Sequence, residues 1–303
     1  MGLVVEHINK WFAQFQAIND LSMEVEEGTI FGFLGANGAG KTTTMRMILD
    51  ILRPDSGRIT WNGKDVREVP RRNWGYLPEE RGLYRQMKLR ELLVFFAEIK
   101  GRRGPAVVAS IERWLERFEL TEKRNAKVEE LSKGNQQKIQ LIATLLHDPD
   151  LIILDEPQSG LDPVNMVLVR NLLQELKAEG KTILLSTHMM GEAERMADDI
   201  VLVHRGRVVL SGTLDEVRGS SGKNTLHIDY EGDGAFLGQL PQIQRARIVN
   251  HAAELTLTDG ADPQDVLHAA VGKLRIRKFE VAAPSLEEIF IEKVGTETLE
   301  AAR

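Results

Sequence analysis

The chain has 303 residues, enough for one large domain and a smaller one. Its 42% apolar content allows a real core, and 39 basic against 45 acidic residues give a net charge of −6, which argues against a primary nucleic-acid binder. There is no cysteine, so disulfides, thiolate metal sites and thiol catalysis are excluded.

The opening MGLVVEHINKWF lacks the basic-then-apolar pattern of a signal peptide. The longest apolar stretches, 141–146 and 151–154, fall far short of the ~18 residues that span a bilayer, so work at a membrane requires a partner to hold the chain there. Residues 21–26 alternate apolar and polar, which predicts an antiparallel portion near the start. Residues 29–35 read as a strand running into a glycine loop, and 41–52 as a helix stopped by Pro54. Between 82 and 120 the pattern turns helical, with amphipathic stretches at 89–100 and 105–118, the second opened by Pro105. Residues 151–155 (LIILD), 182–186 and 200–203 are continuous apolar runs, typical of strands buried on both faces. Strands alternating with helices over the first ~215 residues predict an α/β domain with a mainly parallel sheet.

A Gly/Ser-rich break at 218–224 reads as a linker. After it come strands at 225–230, 246–250 and 254–258, a helix at 263–274, a strand at 276–282, and a helix opened by a capping box of Ser285 and Glu288. This βαββαβ-like order predicts a small ferredoxin-like α+β domain. The expected division is therefore 1–218, with a helical insert at about 82–148, and 219–303. No internal repeat is visible, and His227, His251 and His268 are scattered and read as structural or exposed.

Gly35-Ala36-Asn37-Gly38-Ala39-Gly40-Lys41-Thr42, followed by Thr43, fits GxxxxGK[ST] between a strand and a helix. Glycines let backbone N–H groups turn inward around a phosphate, and the next helix aims its positive end at the same anion. Lys41 would neutralise β- and γ-phosphate charge, and the Thr42 hydroxyl would ligate Mg²⁺. The strand 151–155 then delivers Asp155 and Glu156 to its C-terminal end, where open α/β sheets bind ligands. Asp155 would hold Mg²⁺, and Glu156 would position or deprotonate the attacking water.

Upstream of that strand stands Leu131-Ser132-Lys133-Gly134-Asn135-Gln136-Gln137; downstream stand Ser159-Gly160-Leu161-Asp162 and Ser186-Thr187-His188. This set, in this order, resembles the nucleotide-binding subunits of ATP-binding cassette (ABC) transporters over roughly residues 3–218. The resemblance implies a cassette fold of the P-loop NTPase type: a mixed sheet, an antiparallel N-terminal portion and a helical subdomain. It places Phe12 where the family stacks an aromatic on adenine, with Trp11 and Phe15 as competing candidates. It implies that Ser132, the Gly134 backbone and Asn135 face the ATP held by a partner subunit. Asp162 would cross that interface, and His188 would contact the γ-phosphate and help hold the water. At position 79 the family usually has Gln; Glu79 still offers an oxygen to Mg²⁺ but adds negative charge. The signature reads LSKGN where LSGGQ is commoner, and Lys133 is expected to point to solvent.

The resemblance further implies a head-to-tail dimer sandwiching two ATP with Mg²⁺, as a homodimer or with a related ATPase subunit. The chain would dock through separate transmembrane permease subunits on the cytoplasmic face of the membrane, with no nucleic acid involved. The Glu79 loop and helical insert would pass motion to those subunits. Both sequence departures, with the small C-terminal domain, resemble the efflux-like subgroup, which favours export. The alternative is a non-transport cassette ATPase acting in translation or DNA repair; such chains usually carry two cassettes or a long coiled coil, and neither pattern is present.

Overall fold

The computed structural model describes residues 2–80, 82–220, 225–282 and 284–300, without the side chains of 220 and 296–300. By contacts the chain forms two compact units, Met1–Thr213 and Leu214–Arg303.

The first unit opens with a long antiparallel hairpin, β1 (Gly2–Phe12) and β2 (Phe15–Glu26), whose tip pairs Phe12 with Phe15. Next come β3 (Ile30–Leu34), α1 (Lys41–Ile48), β4 (Ser56–Trp61), β5 (Lys64–Asp65) and β6 (Trp74–Leu77). The helical insert holds α2 (Leu89–Ile99), α3 (Pro105–Arg117) and α4 (Lys133–Leu145). The unit closes with β7 (Leu151–Asp155), α5 (Pro163–Ala178), β8 (Thr182–Thr187), the single turn α6 (Met190–Ala193), β9 (Asp199–His204) and β10 (Arg207–Thr213).

These strands make two sheets. One is antiparallel, ordered β2-β1-β4-β5. The other is ordered β10-β9-β3-β8-β7-β6, parallel except for the antiparallel edge strand β10. Every residue of β3, β7 and β8 is buried, which is why their sequences are nearly continuous apolar runs rather than alternating ones. The two-residue period still sorts their side chains. Ile152, Leu154, Ile183 and Leu185 join a core with α2–α5, while Leu151, Ile153, Leu184, Phe31 and Phe33 join a core with α1 and the antiparallel sheet. The parallel strands therefore lie between two apolar layers, and their C-terminal ends are rigidly placed.

The helix expected at 41–52 stops at Ile48. Asp50 turns left-handed (φ 51°), and the N–H groups of Ile51 and Leu52 bond back to the Arg46 carbonyl, so the termination is set by backbone geometry before Pro54 is reached.

The second unit contains α7 (Leu214–Ser220), β11 (Thr225–Glu231), a 3₁₀ turn (Ala235–Gln239), β12 (Ile243–Val249), β13 (Ala252–Leu257), α8 (Pro263–Ala270), β14 (Arg275–Ala282) and α9 (Leu286–Glu300). Its antiparallel sheet runs β12-β13-β11-β14. Leu226, Ile228, Tyr230, Ala253, Leu255 and Leu257 form the inner face against Val266 and Ala270. Residues 218–220, read as the start of a linker, instead close α7; residues 221–224 of that expected linker lie outside the described residues. The helix expected at 263–274 ends at Ala270, because Val271 turns extended and Gly272 takes a positive φ of 84°. The capping box forms: the Ser285 N–H donates to Glu288 Oε2 at 2.7 Å, and the Glu288 N–H donates to Ser285 Oγ at 3.3 Å. His251 packs edge-on against Tyr230.

Candidate nucleotide-binding site

The loop between β3 and α1 wraps the N-terminus of α1 at the C-terminal end of the parallel sheet. Gly35, Gly38 and Gly40 all have positive φ (152°, 79° and 108°). At Gly35 a Cβ would lie 2.4 Å from the Val203 carbonyl oxygen, so glycine is required there by both conformation and space. Lys41 is 6% exposed; its ammonium donates to the Gly35 carbonyl at 2.7 Å and the Ala36 carbonyl at 3.3 Å, and lies 3.7 Å from Glu156 Oε1. A buried ammonium held by loop carbonyls, above a helix N-terminus with no acidic residue in its first turn, is an anion site.

Thr42 Oγ1 donates to Asp155 Oδ2 at 2.7 Å, and Ser186 Oγ donates to the other oxygen, Asp155 Oδ1. Asp155 is thus locked from both sides. Glu156, the first residue after β7, sits in the left-handed region (φ 52°), an uncommon conformation for a side chain with a Cβ. Its N–H donates to the Ser186 carbonyl at 3.1 Å, and its carboxylate meets His188 Nδ1 at 2.8 Å. Burial, reinforced by the Asp155 carboxylate, pushes the Tyr76 hydroxyl above its ordinary pKa.

Lys41, Thr42, Asp155 and Glu156 border a cleft of about 450 Å³, lined also by Asn37, Gly38, Gly40, Thr43 and Glu79, with Phe12, Phe15 and Ala17 on the hairpin side; His188 touches Glu156 but does not line it. Both phenylalanines are exposed there, and Trp11 does not line the cleft. Gly35 and Ala39 serve from behind it: Gly35 offers its carbonyl to Lys41, and the Ala39 side chain is buried in the core. An exposed glutamate beside a hydroxyl–carboxylate pair supplies hard oxygen donors, which suit Mg²⁺. Among the described residues no group of three or more His, Cys, Asp or Glu forms a metal cage. Mg²⁺ does not require one, since it typically takes one or two carboxylates and completes its shell with phosphates and water.

Ser132, Gly134, Asn135 and Asp162 lie outside this cleft. Ser132 caps α4, accepting from the Asn135 N–H at 3.3 Å, and Lys133 is exposed. Asp162 caps α5, accepting from the Asn165 N–H at 3.0 Å; that bond and the Asn165 side chain hold its carboxyl below the usual carboxylate range. A Cβ on Gly134 would be 3.8 Å from the Gly160 carbonyl, so the signature turn packs beside the loop that carries Asp162.

Sequence reasoning missed the polar groups that brace the site. Ser186, two residues before His188, carries no sequence signal for its bond to Asp155. Glu192, 7% exposed on α6, accepts from Arg170 at 2.9 Å, Gln158 at 3.1 Å and Arg195 at 2.6 Å. Burial alone would raise its pKa; the Arg170 guanidinium, with Gln158 and Arg195, outweighs burial and holds the carboxyl below its ordinary value. No local pattern announces a contact between residues 34 positions apart.

Comparison with known proteins decides the family. The ABC transporter family model matches residues 18–159, and the model for the C-terminal domain of DrrA1-3-like ATP-binding proteins matches 212–294. The ABC transporter ATP-binding protein YhaQ of Bacillus subtilis (strain 168) is 44% identical over 97% of this chain and 98% of its own length. The chain belongs to the ATP-binding proteins of ABC transporters. It is an ABC transporter ATPase, of a family that binds ATP. The Nod factor export ATP-binding protein I of Rhizobium sp. (strain N33) is 34% identical over 96% of each chain, and NatA of Bacillus subtilis (strain 168) is 39% identical over 67% of this chain and 84% of its own. A solved ATP-binding subunit of an ABC transporter superposes with a TM-score of 0.69 at 34% identity, covering 73% of this chain and 94% of that one. A solved bacterial ABC transporter cassette, described as dimeric, shares the fold with a TM-score of 0.65 at 22% identity, covering 70% of this chain and 98% of that one. No helix among the described residues is long and apolar enough to cross a membrane.

Proposed function

We propose that this ATPase drives export through separate transmembrane permease subunits, working as a homodimer on the cytoplasmic face of the membrane. The observation that carries the catalytic part is the cleft itself: Lys41, the Thr42–Asp155 pair and the Glu156–His188 pair converge at the C-terminal ends of adjacent parallel strands. In this reading the 35–43 loop and Lys41 hold the ATP phosphates, and Thr42, Asp155 and Glu79 hold Mg²⁺. Glu156 orients the attacking water, and His188, whose ring already touches Glu156, faces the γ-phosphate. Phe12 and Phe15 present aromatic faces to the base.

Ser132, Gly134, Asn135 and Asp162 serve the ATP of the partner subunit. Their position outside this chain's own cleft favours that assignment. ATP then closes the dimer because its γ-phosphate contacts both chains only in the closed state, a population shift driven by differential affinity.

The domain assignment proposed is a nucleotide-binding domain over 1–218, with its helical insert at about 82–148, and an accessory domain over 219–303. The accessory domain reads as ferredoxin-like: β11 and β12 flank β13, β14 closes the other edge, and the 3₁₀ turn Ala235–Gln239 stands where the first helix belongs. Export as the direction rests on the relatives named for Nod factor export.

Two measurements test this. Glu156→Gln is expected to lower turnover by at least ~100-fold while yielding an ATP-held dimer in sedimentation; parental turnover in that variant would remove Glu156 from the chemistry. Purification of the tagged chain from gently solubilised membranes is expected to bring a stoichiometric polytopic protein with it. Recovery with ribosomes, DNA or no partner would overturn the transport arm.

A further inference from the structure

We propose that Gln137 and Gln140, one turn apart on α4, are positioning residues that tie the signature turn at Ser132, which serves the partner's ATP, to the two loops that build this chain's own site. The proposal rests on the dimer reading above.

Both side chains are buried, at 4% and 5% exposure, and neither lines the cleft. The Gln137 amide donates to the Pro157 carbonyl at 3.2 Å, directly after Glu156. The Gln140 amide donates to the Glu80 carbonyl at 3.4 Å, directly after Glu79. One turn further along, Thr144 Oγ1 donates to the Tyr76 carbonyl at 3.2 Å, on the strand that leads into the Glu79 loop. Positions 137, 140 and 144 share one helical face, so α4 presents a polar seam where a core helix would normally be apolar.

That seam has a mechanical consequence. A buried amide that loses its acceptor is left desolvated and unpaired, which is unfavourable, so α4 follows the Pro157 and Glu80 carbonyls rather than letting go of them. The helix is a rigid rod with a 1.5 Å rise per residue, and Gln137 and Gln140 lie only about 8 and 12 Å along it from the Ser132 cap. A displacement of the Glu79 or Glu156 loop on nucleotide binding is therefore delivered to the signature turn. The Gln140 contact is also incompletely satisfied: its bond is long, and its Oε1 is buried with no hydrogen-bond partner. Apolar residues would fill this face equally well if packing were its only task.

The variants are Gln137→Met, Gln140→Met and the double variant, which keep side-chain volume and remove the donors. They are measured in the full chain for ATP hydrolysis against ATP concentration, for ATP affinity of the undimerised chain, for ATP-held dimerisation in the Glu156→Gln background, and for thermal stability. The double variant is expected to bind ATP within ~2-fold of the parent while kcat falls by ~10-fold or more, the rate curve changes from sigmoidal to hyperbolic, and dimerisation weakens by a similar factor. Retention of a sigmoidal curve and parental kcat would overturn the proposal. So would a loss of ATP affinity and thermal stability that accounts for the whole rate loss, because that is the signature of a purely structural role. If the parent itself hydrolyses ATP hyperbolically and Glu156→Gln forms no ATP-held dimer, the dimer reading fails first and takes this proposal with it.

Discussion

Glu192 offers the sharpest stability test, because its partners are all in view and none is a reacting group. Glu192→Ala removes a buried carboxylate and strands Arg170, which is 23% exposed and whose Nε is already buried without a partner. Breaking a buried ion pair costs ~3–5 kcal/mol; the partial exposure of Arg170, and the 61% exposure of Arg195, place this case near ~2–3. For a unit of this size each kcal/mol moves the midpoint by ~2–4 °C, so Glu192→Ala should lower Tm by ~5–10 °C and Glu192→Gln by about half that.

Tryptophan fluorescence isolates the effect, because Trp11, Trp61, Trp74 and Trp114 all lie in the first unit. Adding Arg170→Ala to Glu192→Ala should cost less than Arg170→Ala alone, since the guanidinium has already lost its counter-ion. The pH dependence has a definite sign. The folded pKa is depressed, so the stabilisation is fully present above the ordinary carboxylate value of ~4.3 and is lost as pH falls through the folded value. The gap between parent and Glu192→Ala should therefore be flat from about pH 6 to 8 and close in acid. A Tm change under ~1 °C, or strict additivity of the two substitutions, would refute the reasoning.

The phosphate loop predicts a contrast between two glycines. Gly35→Ala drives a Cβ to 2.4 Å from the Val203 carbonyl oxygen and should abolish ATP binding and lower the tryptophan-detected Tm, whereas Gly38→Ala meets no protein atom within 4 Å and should cost the fold only the ~1–2 kcal/mol of a left-handed alanine, leaving Tm much closer to the parent. Phe12→Ala and Phe15→Ala should each weaken ATP binding by ~5–100-fold in a fluorescent-nucleotide titration, with Trp11→Ala within ~2-fold, because only the phenylalanines line the cleft. Ser285→Ala removes one arm of the capping box and should cost about 1 kcal/mol, seen as faster amide exchange at residues 286–289.

Much of this was legible because the signals are local. A glycine loop between strand and helix, an apolar run ending in two carboxylates and a Ser–x–x–Glu before a helix each carry their physics within a few residues. The continuous burial of β7 and β8 follows from the same cause as their sequences: both faces are covered. Boundaries were less legible. The end of α1 is set by a left-handed Asp50, and the end of α8 by an extended Val271, conformations that residue identity only weakly favours. Phe12 and Phe15 could not be separated either, because a hairpin pairs them tip to tip and brings both to the cleft.

By itself, then, the sequence determined the chemistry available: a phosphate cradle, a hydroxyl and carboxylates at strand ends, and a separate α+β unit. Those are consequences of residue type and short spacing. Only the tertiary structure decided which groups are held in place and by what. Ser186 and Thr42 lock Asp155 from strands and helices far apart in sequence, Glu192 gathers Arg170 and Gln158 across 22 and 34 positions, and Gln137 and Gln140 reach two different loops from one helical face. The reason is physical. A buried polar group must find a partner wherever the packed chain happens to offer one, and the location of that partner is a property of the fold rather than of any short stretch of sequence.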